Sequence, residues 1–152
     1  MKQDRFLLGI VIGIAIIALA AVAVFLVRQP NMSYTSEDTP AGVLQNYVLA
    51  LVLGDNDKAY AYLADGKNKP DRQQFQVGVN AMEYDFKNAS LKVGKAEIFD
   101  NEAIIDVQVR HSGGGPFNDV YISNETSRMV LQNGAWKVAS APTPYWFWDW
   151  YQ

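Results

Sequence analysis

The sequence predicts an α+β fold in which one N-terminal transmembrane helix precedes a domain of helices on a curved antiparallel sheet. Three patterns carry this prediction. Residues 6–27 form an uncharged apolar run, and apolar side chains then recur at helical spacing through residues 43–86. From residue 90 onward, apolar and polar side chains alternate as they do in strands. Helices and strands in separate parts of the chain are typical of α+β domains.

These patterns divide the chain into five segments. They are a short cytoplasmic tip at residues 1–5, the transmembrane helix at 6–27, a polar linker at 28–39, the α+β domain at 40–142 and an aromatic tail at 143–152. The domain is long enough to bury a core of its own. The chain has no cysteine, so this core must hold without disulfides.

The apolar run at residues 6–27 is long enough to cross a membrane. As a helix it extends roughly 33 Å, which matches the hydrocarbon thickness of a bilayer. A cleaved signal peptide is the alternative, with Ala18-Leu19-Ala20 as a small-residue cleavage site. Because the apolar region of a signal peptide is usually about 7–15 residues long, we predict an uncleaved signal-anchor in the lipid bilayer of the cell membrane.

The residues in and beside the run predict its orientation and one packing face. Lys2 and Arg5 precede the run and only Arg28 closely follows it, which favours a cytoplasmic N-terminus and an extracytoplasmic domain. Gly9 and Gly13 have GxxxG spacing, which lets two membrane helices approach closely. We therefore predict that these glycines pack on a membrane-protein partner or a second copy, although glycine is also common in membrane helices that do not pair.

Start and stop signals define three helices in the domain. Thr39-Pro40 begins the first helix with a hydroxyl N-cap and a proline at its first position, and Gly54 ends it. Asp55 or Asp57 caps a short second helix, and Asp71 with Gln74 forms a capping box for the third. The predicted buried side chains are Val43, Leu44, Tyr47, Val48, Leu51, Tyr60, Leu63, Phe75, Val79, Met82 and Phe86.

The alternating segment predicts bent strands and a closing hairpin. The apolar phase switches around Gly94-Lys95, which indicates a β-bulge, and the next strand turns Ile105, Val107 and Val109 inward. Asn133-Gly134 is the strongest local signal, because this dipeptide suits a two-residue hairpin turn. The turn predicts two cross-strand pairs, Leu131 with Trp136 and Met129 with Val138.

Two segments carry a family resemblance, residues 39–64 (TPAGVLQNYVLALVLGDNDKAYAYLA) and residues 129–142 (MVLQNGAWKVASAP). The first resembles the opening helices and the second the closing hairpin of the nuclear transport factor 2-like family, which has a cystatin-like α+β cone. The resemblance covers residues 39–142. It implies helices that cover a bent sheet and leave a cone-shaped pocket. Family members include steroid isomerases, dehydratases, transport factors and membrane-anchored bacterial proteins of unknown role, and this chain is most similar to the last group.

The residues give little support to catalysis, metals or nucleic acid. His111 is the single histidine and lies in a glycine-rich loop from residue 111 to 118, so no ligand set for zinc exists and we predict no metal or cofactor. The steroid-isomerase resemblance makes Tyr84, Asp85 and Asp106 candidates for chemistry inside the cone. However, Asp106 alternates out of phase with its apolar neighbours and should face outward. Outside the anchor and its flank, 15 acidic residues outnumber 11 basic ones, which argues against nucleic acid.

The aromatic tail is the most unusual local feature. Its rings can pack over the open end of their own cone, sit at the membrane interface where tryptophan is enriched, or dock on another subunit. The predicted partner or membrane contacts are Trp146, Trp148, Trp150 and Tyr151.

The function predicted from the sequence is binding rather than catalysis. We expect a membrane-anchored domain that binds a protein partner or a small apolar ligand outside the cytoplasm. The alternative is a structural accessory subunit of a larger membrane complex, held by Gly9, Gly13 and the aromatic tail. A cone-pocket enzyme of the isomerase or dehydratase type is the third possibility.

Overall fold

The computed structural model describes the chain at residues 3–27, 32–112, 120–147 and 150–151. It divides into two compact units, Met1–Ser33 and Tyr34–Gln152. The first unit holds one helix, α1, at Gln3–Val27. Its segment Leu7–Val24 is long and apolar enough to be a membrane span or a signal sequence.

The second unit consists of helices followed by one antiparallel sheet. The helices are α2 (Pro40–Leu53), α3 (Asn56–Ala61) and α4 (Arg72–Lys87). The strands are β1 (Ala89–Phe99), β2 (Glu102–Ser112), β3 (Val120–Gln132) and β4 (Ala135–Ser140). The sheet order is β1-β2-β3-β4, and the helices pack with the inner face of the sheet around one core. The predicted α+β class is therefore confirmed.

The helix ends follow the capping residues of the sequence. The Thr39 side chain caps α2, and Gly54 ends that helix with a left-handed φ of 74°, a conformation that glycine adopts without steric cost. Asp55 is the N-cap of α3. Asp71 and Gln74 each accept a hydrogen bond from the other's backbone N–H, which is the predicted capping box of α4.

The sheet is a meander with one bulge. The register of β1 on β2 shifts between Val93 and Ala96, where the sequence predicts the bulge. A Cβ on Gly94 would lie 2.9 Å from the backbone oxygen of Asp106, so this position needs a residue without a side chain. Asn133-Gly134 forms the turn between β3 and β4, and both predicted pairs are present, Leu131 with Trp136 and Met129 with Val138.

The aromatic tail contributes to the core of the second unit. Tyr145 is fully buried and its backbone oxygen accepts a hydrogen bond from the Tyr47 hydroxyl at 2.8 Å, across 98 positions of the chain. Trp150 is 4% exposed and stacks on Phe75 with ring centroids 4.9 Å apart. Residues 40–142 and the tail were predicted as separate segments, whereas the second unit includes both.

A short segment before α2 also belongs to the second unit. The predicted linker runs to residue 39, but the unit already begins at Tyr34, and residues 28–31 lie outside the described part of the chain. Asn46, which is 1% exposed, holds this segment: its Oδ1 accepts from the Thr35 backbone N–H at 2.8 Å and its Nδ2 donates to the Thr35 oxygen at 2.9 Å. The segment then passes directly over Gly42 of α2.

Candidate functional site

The inner face of the sheet becomes polar where β2 ends and β3 begins. Ser123, Glu125 and Ser127 occupy alternate positions of β3 and share the inner face with buried Met129. Ser127 is almost fully buried, while Ser123 and Glu125 are half-buried and approach the open end of the sheet. Their β2 neighbours on this face are Ile105, Val107 and Val109.

A chain of hydrogen bonds joins the polar side chains at this end. His111 Nε2 lies 3.2 Å from Ser123 Oγ, and this hydroxyl donates to Glu125 Oε1 at 2.8 Å. The second oxygen, Glu125 Oε2, accepts from the Thr143 backbone N–H at 3.0 Å. The His111 ring is also stacked on the Tyr121 ring, with centroids 4.3 Å apart and planes 9° apart. The hydrogen bonds and the stacking contact together fix the positions of the His111 and Tyr121 rings.

A cleft of about 350 Å³ opens beside this cluster. Three sides contribute to it: the end of α4, the paired ends of β2 and β3, and the segment after β4. We call it the His111 cleft, and its principal lining residues are Tyr84, Asp85, Asn88, His111, Tyr121 and Thr143-Pro144. Two of its rings face solvent, because Tyr84 is 68% and Tyr121 is 60% exposed.

The hydrogen-bond directions in the His111 cleft differ from those of a nucleophilic site. In a serine nucleophile, the hydroxyl proton is given to a histidine base. Here the single hydroxyl proton of Ser123 is donated to Glu125, so Ser123 Oγ can only accept from His111. The contacts therefore differ from those of a serine–histidine pair, and they order the wall of the cleft.

A larger groove of about 720 Å³ lies on the other face of the sheet. Its lining includes Lys92, Asp106, Gln108 and Asn124, which are outward-facing side chains of β1, β2 and β3. Asp106 is exposed there, on the face opposite the core, as its alternation predicts. The groove is wide. Among the described residues, the only hydrogen bond between these four side chains joins Gln108 to Asn124. We therefore place the candidate site in the more structured His111 cleft.

The structure changes the assignment of His111. The sequence places it at the start of a glycine-rich loop, but it is a half-buried residue of β2, paired with Ala89 on one side and Tyr121 on the other. The ladder of paired residues between β2 and β3 extends to Ser112 and Val120, so the predicted loop at residues 111–118 does not begin at His111. Residues 113–119 lie outside the described part of the chain.

The predicted contact residues of the tail occupy different environments. Trp150 is buried in its own unit, and its contact with a partner or a membrane stays a prediction. Trp146 and Tyr151 are half-buried and stack on each other at 5.6 Å, and the Tyr151 hydroxyl donates to the backbone oxygen of Ala64. Burial raises the pKa of Tyr151, so its hydroxyl stays protonated. Trp148 lies outside the described residues.

The predicted membrane packing residues lie on α1, in the first unit. A Cβ added at Gly9 or Gly13 would meet no other atom within 4 Å. Among the described residues of that unit, no atom contacts this face, and the packing of Gly9 and Gly13 on another helix stays a prediction.

Sequence reasoning missed Ser123 and Glu125. A signal for them exists in the alternation of β3: counting back by twos from Met129, an inner-face residue of the predicted hairpin, gives positions 127, 125 and 123. All three are polar, and polar side chains on a core-facing strand surface are informative because they need partners.

Comparisons with known proteins identify the fold. No protein-family model and no curated protein matches the chain. A SEC-C motif containing protein from Rhodopseudomonas palustris has a similar structure, with a TM-score of 0.54 and 17% identity over 70% of this chain and 79% of that one. A protein from Shewanella frigidimarina, provisionally named a ketosteroid isomerase, also gives a TM-score of 0.54, with 18% identity over 70% and 96% of the two chains.

A cystatin fold protein of uncharacterised role from Novosphingobium aromaticivorans gives a TM-score of 0.47, with 10% identity over 68% of this chain and 98% of that one. The similarity to the Shewanella protein agrees with the family resemblance, which includes steroid isomerases. At these identities the similarity shows the fold alone, because this fold carries many unrelated functions.

Proposed function

We propose that the chain is a single-pass, membrane-anchored protein whose second unit lies outside the cytoplasm and binds a ligand at the His111 cleft without catalysing a reaction. The observation that carries the proposal is the hydrogen-bonded chain of His111, Ser123 and Glu125. It holds the aromatic wall of the cleft in place. Preorganised walls of this kind reduce the entropy cost of binding.

The interior of the cone is a less suitable place for the ligand. Tyr145 and Trp150 are buried members of the core that the helices and the sheet share, so an apolar ligand inside this core would have to displace such side chains. The hydrophobic energy of burying two large aromatic side chains opposes such an exchange. The His111 cleft is open at the surface and needs no rearrangement of the core.

The anchored topology is supported by the length of α1 and by the basic residues before it. We expect a C-terminal alkaline phosphatase fusion to be active in a bacterial host and a green fluorescent protein fusion to be dark. The protein should stay in the membrane pellet after carbonate extraction, with its N-terminus intact by mass spectrometry. Deletion of residues 6–27 is the control and should abolish both export and membrane retention. A fluorescent fusion contradicts the topology, and a mature protein beginning at Ala21 contradicts the anchor.

Ligand binding at the cleft has a direct spectroscopic readout, because His111 is the only histidine of the chain. We expect fragments from a small-molecule library to shift the ring signals of His111 in detergent-solubilised, histidine-labelled protein. Tyr121→Leu should weaken these fragments, whereas Phe99→Leu, which changes an exposed ring outside the cleft lining, should not. A library without any such fragment would count against the cleft as a binding site. Chemical conversion of a bound fragment would count against the non-enzymatic role.

A further inference from the structure

Two tyrosines of the second unit, Tyr34 and Tyr60, have a cation of the same chain over the ring. Lys58 Nζ lies 3.3 Å from the centroid of the Tyr34 ring. Lys69 Nζ and Arg72 Cζ lie 4.7 and 4.9 Å from the centroid of Tyr60. These rings are already covered by cations of the same chain, at distances typical of cation–π contacts.

The two tyrosines of the His111 cleft lack such a cation. Among the described residues, no lysine or arginine lies over Tyr84 or Tyr121, although both rings are more than half exposed. His111 stacks on one face of Tyr121, and the Tyr121 ring is still 60% exposed. The electron-rich faces of such rings attract cations, so the cleft presents two unused sites of this kind.

The charges around the cleft favour a cation as well. Asp85 lines it and makes no hydrogen bond or ion pair in the described part of the chain. No lysine or arginine belongs to the described lining. Of the two cations in the neighbouring groove, Lys87 is paired with Glu83, and Arg110 is exposed on the outer face of β2, opposite to the His111 side. Tyr84 and Asp85 also lie in the last turn of α4, where the helix dipole is negative.

A metal ion does not fit this arrangement. No group of three or more histidine, cysteine, aspartate or glutamate side chains that could hold a metal occurs among the described residues. Both oxygens of Glu125 already accept hydrogen bonds from Ser123 and Thr143. An organic ammonium group needs only ring faces and one carboxylate, which the cleft supplies.

We propose that the His111 cleft recognises an organic ammonium group between the rings of Tyr84 and Tyr121, with Asp85 as its counter-charge. This inference rests on the proposed binding function of the same cleft and names its ligand class. The ammonium group can belong to a free small molecule or to a lysine side chain of a protein partner, and both present the same chemistry to the site.

The test compares a cation with a neutral molecule of the same shape. Full-length protein in an uncharged maltoside detergent is titrated with choline and with 3,3-dimethylbutan-1-ol, and the His111 ring signals are followed. We expect the neutral isostere to bind at least about tenfold more weakly, because it loses both the ring and the carboxylate attraction. Titration with Nα-acetyl-lysine methylamide, which keeps its ε-ammonium group, identifies the source of the ammonium ligand. Tighter binding than that of choline indicates a lysine side chain, and weaker binding indicates a free quaternary ammonium compound.

Variants assign the effect to the cleft. Tyr84→Leu and Tyr121→Leu should each weaken choline about two- to fivefold, and Asp85→Asn by a similar factor. The matched controls are Phe99→Leu, an exposed ring outside the cleft lining, and Asp106→Asn, a carboxylate on the outer face of the sheet. Neither control should change the affinity for choline. A thermal melt of each variant checks that it is folded.

The outcomes separate this inference from the proposed function. Equal affinity for choline and its neutral isostere, with both weakened by Tyr121→Leu, overturns the ammonium assignment and retains the cleft as a binding site. Binding of neutral fragments without any response to choline likewise overturns the ammonium assignment and retains the cleft as a binding site. If neither choline nor any library fragment shifts the His111 signals, the ammonium assignment and the proposed binding function both fail.

Discussion

Replacing Trp150 with alanine should lower the free energy of unfolding of the second unit by about 3–5 kcal/mol, the usual cost of truncating a buried aromatic side chain. Trp150 is 4% exposed and stacks on Phe75 of α4, and its ring also lies against Gly78 of the same helix. For a domain of slightly more than 100 residues, this loss lowers the Tm by roughly 12–20 °C. Deletion of residues 145–152 also removes fully buried Tyr145, and we expect the second unit not to fold at all.

The melting experiment uses intrinsic fluorescence of the detergent-solubilised full chain. All four tryptophans lie in the second unit, so the signal reports this unit and not α1. Phe99→Ala is the control, because Phe99 is 57% exposed and should change the Tm by only a few degrees. An unchanged Tm in Trp150→Ala would mean that the tail is not part of the core. Partner or membrane docking of the tail would then gain support.

Gly42→Ala is expected to destabilise the second unit by about 1–3 kcal/mol, although alanine is normally favoured over glycine inside a helix by about 1 kcal/mol. The reason is the segment that crosses α2. A Cβ at residue 42 would overlap the backbone oxygen of Ser36 and would lie 3.1 and 3.2 Å from the hydroxyl oxygens of Thr39 and Thr35. The clash must displace the segment or strain the start of α2.

The matched control for Gly42→Ala is Gln45→Ala, an exposed position of the same helix that should be nearly neutral. Chemical denaturation followed by tryptophan fluorescence measures both variants. A more stable Gly42→Ala protein would show that helix propensity outweighs the contact with Ser36. The segment before α2 would then have to move away from residue 42 without lowering the free energy of unfolding.

Local signals were sufficient to predict the helices and the sheet. Thr39, Gly54, Asp71 and the Asn133-Gly134 turn each act within a few residues, through side-chain caps or a required backbone conformation. The alternation of the strands likewise predicts which side chains face inward. Such features can be read from sequence because their cause is local.

The tail and the candidate site depend on contacts between distant parts of the chain. Nothing near Tyr145 indicates that its backbone will meet Tyr47, and nothing near Glu125 indicates that Thr143 will donate to it. The glycine-rich residues after His111 predict a loop, although the alternation of β2 continues through His111. Its hydrogen bond to Ser123 follows only from the register between β2 and β3.

The long-range contact between Tyr47 and Tyr145 has a consequence for biosynthesis. Domains generally fold as units while the chain is being made. In this protein, α2 is synthesised early but must wait for residues 145–150 before its buried face is fully covered. The helices and the meander can form during translation, whereas closure of the core follows the synthesis of Trp150. Nascent chains halted before residue 145 should therefore remain sensitive to proteases, and those extended beyond residue 150 should become resistant once they leave the ribosome.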